Sequence, residues 1–392
     1  MGRAHDILIP PETSWLTDPA AREVCDAITA GGFDIYFVGG CVRNALLGLP
    51  GNDVDLSTNA LPKQVMTCAE AAGLKAVPTG IDHGTVTVVA SGAPFEITTF
   101  RRDVETDGRR AVVAFSSSIK DDARRRDFTI NALYACPDGA VIDPLGGLPD
   151  LRERRIRFIE DPGARIREDY LRILRFFRFT AWYADPALGF DADALAAIAA
   201  NLDGLETLPA ERNGHEIKRL LASPDPAPAV AVMRQIGVLA RILPGADDTL
   251  LAPLVHLECV LEIPVDWITR LAAIGGEDVA DRLRLSRADA RQLKLLADVG
   301  FAGPSVAEIA YRHGKNIAQG ALLLRSVMAQ EPPETPMLET INTASVAKFP
   351  VAAKDLMPTL QGPDLGAKLA VLEQQWIDSG FTLTRTELLR ET

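Results

Sequence analysis

The feature that most constrains this chain is a change of hydrophobic period near residue 158. Up to that point, short β-branched and apolar runs alternate with helical stretches and glycine turns. Beyond it strand signals nearly vanish, and Ala-, Leu- and Arg-rich residues recur at helical spacing, as over 169–183, 192–200 and 211–221. Neither one sheet nor one bundle accommodates both halves. The pattern predicts an α/β or α+β head followed by all-α segments. Within the head, helices are expected over 21–31, 41–47 and 63–72. Strands are expected over 34–38, 54–56, 85–90 and 95–100, the last two joined by Ser91-Gly92-Ala93-Pro94. Proline-rich breaks at 223–228 and 331–336 divide the helical part. The expected parts are therefore 1–158, 159–225, 226–330 and 331–392.

A length of 392 residues suits two or three units. An apolar fraction of 47% with 24% charged residues excludes a mostly disordered chain. No apolar run of about 18 residues occurs, so no membrane-spanning helix is expected, and the first residues lack the apolar core of a signal peptide. The five cysteines, Cys25, Cys41, Cys68, Cys136 and Cys259, are scattered and form no CxxC pair. That argues against a disulfide framework or zinc knuckle and for a reducing cytoplasm. The net charge of −12 argues against nucleic acid when taken whole, yet residues 101–178 hold 17 Arg and Lys against 14 Asp and Glu. Arginine dominates there, and its guanidinium is shaped to fork onto phosphates. The window is either a polyanion surface or a set of solvated helix faces.

Several clusters within this frame carry chemistry. Val38-Gly39-Gly40-Cys41-Val42-Arg43 reads as strand, glycine pair and helix. Such a turn aims backbone N–H groups at an anion, with Arg43 one turn in; a plain tight turn has the same pattern. Asp53-Val54-Asp55 follows. On a strand its two acids share a face, and adjoining carboxylates repel unless a cation sits between them; an exposed loop is the alternative. A neighbouring antiparallel strand could bring Glu96 beside them, giving three carboxylates near a Gly-Gly turn, as two-metal phosphoryl transfer requires. Otherwise Glu96 is an outward strand residue. In Arg124-Arg125-Arg126-Asp127-Phe128-Thr129-Ile130-Asn131, Asp127 can cap a helix with Asn131 one turn on. The arginines either hold phosphate or pair with Asp121 and Asp122.

Asp169 and Arg172 are i, i+3 neighbours on the helix expected over 169–183, which suits an ordinary ion pair. A sharper reading exists. A carboxylate accepts and a guanidinium donates. Cytosine offers an N4 donor beside an N3 acceptor, and adenine an N6 donor beside an N1 acceptor, so one Asp–Arg pair matches both. Guanine and uracil present the reverse order.

Taken in order, these elements resemble the class II tRNA nucleotidyltransferase and bacterial poly(A) polymerase superfamily. Gly39-Gly40-Cys41-Val42-Arg43 with Asp53-Val54-Asp55 resembles its first motif, and Arg125-Arg126-Asp127-Phe128-Thr129-Ile130-Asn131-Ala132 matches its RRDFTINA motif. Asp143-Pro144-Leu145-Gly146-Gly147 with Asp150-Leu151 resembles its hinge, Glu168-Asp169-x-x-Arg172 its nucleotide-selecting EDxxR, and Pro209-Ala210-Glu211-Arg212 with Glu216 and Lys218 its fifth motif. Lys354-Asp355-Leu356-Met357 and 362–366 are similar to segments of the family's tRNA-binding tail. One departure is Asn44, where the family usually has Asp. Gly80-Ile81-Asp82-His83-Gly84-Thr85-Val86-Thr87-Val88 resembles the HGTVTV strand of CCA-adding members, and 100–110 resembles the flexible loop of those that add the full triplet.

The resemblance implies an α+β fold: a nucleotidyltransferase head with a small mixed or antiparallel β-sheet and flanking helices (1–158), then an all-α neck with the selecting helix (159–225), body (226–330) and tRNA-binding tail (331–392). It implies template-independent addition and repair of tRNA 3′-terminal CCA from CTP and ATP, with release of pyrophosphate. Two Mg²⁺ ions would be held by Asp53 and Asp55, with Glu96 completing a shell or taking a proton. Gly39, Gly40 and Arg43 would cradle the triphosphate. Asp127, with Asn131 beside it, would contact the ribose, Asp169 and Arg172 would read the base, and Arg126 and Arg175 would support placement. The implied partner is tRNA, gripped at its acceptor and T-arm, with no protein partner or membrane. Poly(A) polymerase, CC- or A-adding specialists and an inactive RNA-binding protein are the rival readings. The HD phosphohydrolase of some members is not expected, since the only His-Asp dipeptide is His5-Asp6 and His215, His256 and His313 are isolated.

Overall fold

The computed structural model describes residues 7–51, 53–107, 110–334, 336–357 and 359–390, those over 103–113 by their backbone. The chain forms two compact units, Met1–Leu208 with Ile236–Val238, and Pro209–Gln235 with Leu239–Thr392.

The first unit holds all nine described strands: β1 (Ile35–Val38), β2 (Asp55–Thr58), β3 (Lys75–Gly80), β4 (Thr85–Ala90), β5 (Ala93–Thr99), β6 (Arg101–Asp107), β7 (Arg110–Phe115), β8 (Tyr134–Ala135) and β9 (Val141–Ile142). Seven form one sheet in the order β3-β4-β5-β2-β1-β8-β9, and β6 and β7 form a separate hairpin. Among the described strands only β2 and β5 run parallel; the other pairings are antiparallel. The sheet is therefore mixed. Helices Pro19–Ala30 and Pro62–Ala71 pack against it. They bury Val24, Ile28, Val65 and Ala69, and the strands bury Leu56, Val86, Val88 and Ile97. Each of these helices opens on proline, whose missing N–H costs nothing in a first turn.

Local chemistry explains where sequence and structure differ. The turn between β4 and β5 takes only Ser91 and Gly92, at φ 51° and 82°. Two left-handed residues match the twist of a two-residue hairpin, so β5 starts at Ala93 rather than 95. Strand β3 escapes the sequence pattern because it has no alternation and contains Pro78. It is an edge strand, where a missing N–H is tolerated. The segment read as a loop over 100–110 contributes to the β6–β7 hairpin, with Gly108 and Arg109 outside the described residues. His5-Asp6 is also outside them.

The expected helix over 169–183 is broken. One helix spans Pro162–Glu168 and the next Leu171–Tyr183, and Asp169 between them is extended, at φ −155° and ψ 104°. Phenylalanines lock the second helix in place. Phe128 and Phe158 form an isolated bridge and lie 4.9 Å apart, Phe176 stacks on Phe158 at 5.6 Å, and Phe179 lies 5.1 Å from Phe128.

The second unit is helical throughout its described residues. One core gathers Leu254, Ile268, Leu296, Ile309, Ala318 and Leu322, and a smaller one surrounds Trp376 with Leu356, Leu372 and Leu388. Arg270, 1% exposed, donates to Glu258 Oε2 from Nε (2.9 Å) and Nη2 (2.7 Å), and to the carbonyls of Leu221, Ser223 and Pro224. It thus closes the end of helix Ala210–Leu221 and the proline-rich break after it, where carbonyls lack helical partners. Among the described residues no helix is long and apolar enough to cross a membrane.

Candidate active site

Strand register builds the site. Asp55, the first residue of β2, pairs with Val38 of β1 on one side and with Glu96 of β5 on the other. It therefore lies beside the chain where β1 runs into Gly39-Gly40. Glu96 reaches Asp55 through a parallel pairing, not the antiparallel one expected. Asp55 and Glu96 are exposed while Leu56 and Ile97, the next pair, are buried, as the alternation of faces demands. Asp53 is exposed in the connection before β2, so its nearness to Asp55 is not a shared strand face.

The Asp55 carboxyl is pushed above its ordinary range although the residue as a whole is exposed. Partial desolvation contributes most; Arg126 opposes it, and the charges of Glu96 and Asp53 add to it. This repulsion is what a divalent cation relieves. Among the described residues no group of three or more His, Cys, Asp or Glu is arranged to hold a metal. The pair Asp53 and Asp55 still fits Mg²⁺, which usually takes one or two carboxylates with phosphate oxygens and waters.

Gly39 has φ 75° and ψ −120°, a region that suits glycine. A Cβ there would lie 3.3 Å from Arg126 Nη1, and a Cβ on Gly40 would lie 3.8 Å from Arg43 Nη2. One guanidinium thus flanks each glycine of the turn. Arg126 is anchored: Nη2 donates to Asp122 Oδ2 at 3.0 Å and Nε to Tyr134 Oη at 3.2 Å. Asp122 is fully buried and also accepts from Arg125 (2.8 Å) and Tyr134 Oη (2.7 Å). Burial pushes its carboxyl up, but Arg126, Arg125 and these hydrogen bonds prevail and hold it at about 2. The salt-bridged alternative therefore holds for Arg125 and Arg126, while Arg124 pairs with Glu160.

Asn131 ends a short 3₁₀ turn, Thr129–Asn131, and Asp127 lies two residues before it rather than capping an α-helix. Asp127 accepts from Arg175 Nε (2.6 Å), Asn131 Nδ2 (2.9 Å) and the Phe128 amide (2.9 Å). Burial again opposes, yet Arg175 and these donors hold its carboxyl at about 2. Asn131 in turn accepts from Arg43 Nη1 at 2.5 Å. The expected Asp169–Arg172 helical pair does not form as drawn. Asp169 Oδ1 accepts from the Leu171 amide at 3.1 Å, at the joint between the helices. Arg172 pairs with Glu168 at 2.6 Å and donates to the carbonyls of Arg165 and Arg125. The hinge acids are structural: Asp143 accepts from the Gly147 and Leu148 amides, and Asp150 from Thr129 and Arg157.

Residues 35–157 match the family described as the poly A polymerase head domain, and residues 188–250 match the probable RNA- and SrmB-binding site of polymerase A. The mouse mitochondrial CCA tRNA nucleotidyltransferase 1 is 30% identical over 97% of this chain and 91% of its own length. The chain belongs to the CCA-adding tRNA nucleotidyltransferase family. A CCA-adding enzyme of Geobacillus thermodenitrificans is 42% identical over 55% of this chain and 52% of its own. The crystal structure of a Bacillus stearothermophilus CCA-adding enzyme in complex with CTP superposes with a TM-score of 0.69 at 29% identity, over 93% of this chain and 94% of that one. Nucleotidyltransferases of this kind generally use divalent metals. Asp122 was named from sequence as the arginines' salt-bridge alternative, whereas three residues of this CCA-family site were not singled out: Tyr134, Tyr183 and, as a contact rather than a departure, Asn44. The signal for Asp122 was its position three and four residues before Arg125 and Arg126.

Proposed function

We propose that this chain builds and repairs the 3′-terminal CCA of tRNA from CTP and ATP without a template. The observation that carries the reading is the register that sets Asp55 between Glu96 and the Gly39-Gly40 turn, with a guanidinium beside each glycine. The tRNA 3′-oxygen attacks the α-phosphorus, the bond to the β-phosphate oxygen breaks, and pyrophosphate leaves. Two Mg²⁺ ions, when held by Asp53 and Asp55, supply the positive charge that acidifies the 3′-hydroxyl and offsets the leaving group. Glu96, beside Asp55, accepts the proton. Gly39, Gly40 and Arg43 cradle the triphosphate, with Arg126 bracing the turn. Asp127 and Asn131 face the ribose, and Arg175 orients Asp127. Asp169 and Arg172 read the base edge, for which Arg172 exchanges a carbonyl partner for the nucleotide.

In this reading 1–158 is the catalytic head, 159–225 the neck, 226–330 the body and 331–392 the tail. The helical part grips the acceptor and T-arm by A-form shape and phosphate contacts. The five free cysteines suit a reducing cytoplasm.

The test is label incorporation into a tRNA transcript ending at its discriminator base, with Mg²⁺. Two additions with CTP alone and a third only with CTP and ATP together are expected. A long ladder with ATP alone would mean poly(A) polymerase, CC without A a CC-adding specialist, and no incorporation an RNA-binding protein.

A further inference from the structure

Arg43 is 5% exposed, yet among the described residues each of its side-chain hydrogen bonds goes to a neutral acceptor. Asn44 Oδ1 accepts from Nε (3.0 Å) and Nη2 (2.8 Å), Asn131 Oδ1 from Nη1, and Tyr183 Oη from Nη2 (2.8 Å). The Tyr183 and Phe179 rings cover the guanidinium at 4.1 and 5.2 Å. Asp127, the carboxylate whose charge reaches it, is already neutralised by Arg175. A buried charge bonded only to neutral groups is costly and favours an anion from solution.

Asn44 is held so that it completes this cage. Its Nδ2 donates to the Pro50 carbonyl at 2.9 Å, which turns Oδ1 toward Arg43. The same bond ties Arg43 to the segment leading into Asp53. An aspartate could accept from Arg43 as well but would cancel its charge, and it could not donate to Pro50. We propose that Asn44 is a positioning residue that fixes Arg43 beneath the Gly39-Gly40 turn while leaving its positive charge available to the nucleotide triphosphate. The inference rests on the proposed function for the identity of that anion.

The test compares Asn44→Asp with Asn44→Ala in the full chain. Both lose the Pro50 bond; only aspartate adds charge. Binding of inorganic tripolyphosphate and of CTP is measured without tRNA, alongside KM and kcat for CTP incorporation and the melting temperature. Wild type should bind tripolyphosphate tightest and Asn44→Asp weakest, by roughly tenfold, as for loss of one charge-assisted contact. Its KM should rise with little change in melting temperature. Asn44→Ala should lose mainly kcat, because Arg43 is then unfixed but still charged. Tripolyphosphate affinity of Asn44→Asp equal to or above that of Asn44→Ala overturns the inference. If wild type adds no CCA yet the affinity order holds, the proposed function fails and the role of Asn44 stands.

Discussion

Replacing Asp122 with asparagine should destabilise the first unit without touching a reacting atom. The carboxylate is fully buried and serves Arg125, Arg126 and Tyr134 together. Its descent from an ordinary 3.8 to about 2 on folding corresponds to roughly 2–3 kcal/mol at neutral pH. Removing one partner of a buried ion pair costs about 3–5 kcal/mol by an independent route, so roughly 3 kcal/mol is expected. For a unit of this size that is a fall of roughly 6–12 °C in its melting transition. The pH dependence carries the sign. A depressed carboxyl stabilises above its unfolded value of 3.8, and that contribution is lost as pH falls through about 2. The gap between wild type and Asp122→Asn, followed by circular dichroism, should be full near neutrality and about half gone near pH 3. A gap below about 1 °C at neutral pH, or one that does not shrink on acidification, refutes the reasoning.

Other outcomes follow from named contacts. Asp55→Ala, and Asp53→Ala likewise, should lower nucleotide incorporation by about 10³-fold or more while tRNA binding, read by filter retention, stays nearly intact. Unchanged activity would remove the metal assignment. Gly39→Ala forces a side chain into φ 75° and sets its methyl 3.3 Å from Arg126 Nη1. About 1–3 kcal/mol of strain is expected, with a raised KM for both nucleotides in steady-state incorporation. Arg270→Ala orphans Glu258 inside the second unit. It should lower that unit's stability by about 3–5 kcal/mol in a denaturant melt, with nucleotide binding to the first unit unchanged.

Local features of the sequence were legible because their physics is local. The β-branched run Thr85–Ala90 is a strand as read, and helices opening at Pro19 and Pro62 lie within two residues of expectation. Glu96 was placed beside Asp55 correctly, but by the wrong strand polarity. Polarity depends on which strands become neighbours, and β2 and β5 meet across two intervening strands of the chain. The break at Asp169 was hidden for a different reason. Glu168 and Arg172 satisfy helical i, i+4 spacing and pair across the break, so the charge pattern reads as continuous while the backbone at 169 is extended.

The acids of the site were visible and the environment of Arg43 was not, and the asymmetry has a physical source. Two carboxylates two residues apart stand out in a sequence, because on a strand they would share a face and repel. An arginine is anomalous only once its partners are known. Arg43 acquires its meaning from Asn131, 88 residues away, and Tyr183, 140 away, with Asn44 adjacent. Arg126 and Arg175, by contrast, find carboxylates in Asp122 and Asp127 and are held as scaffolding. The same residue type is thus spent two ways around one turn: as a braced cation beside Gly39, and as an uncompensated one beside Gly40. Only the second retains charge for a ligand, and what keeps it so is the neutral amide of Asn44.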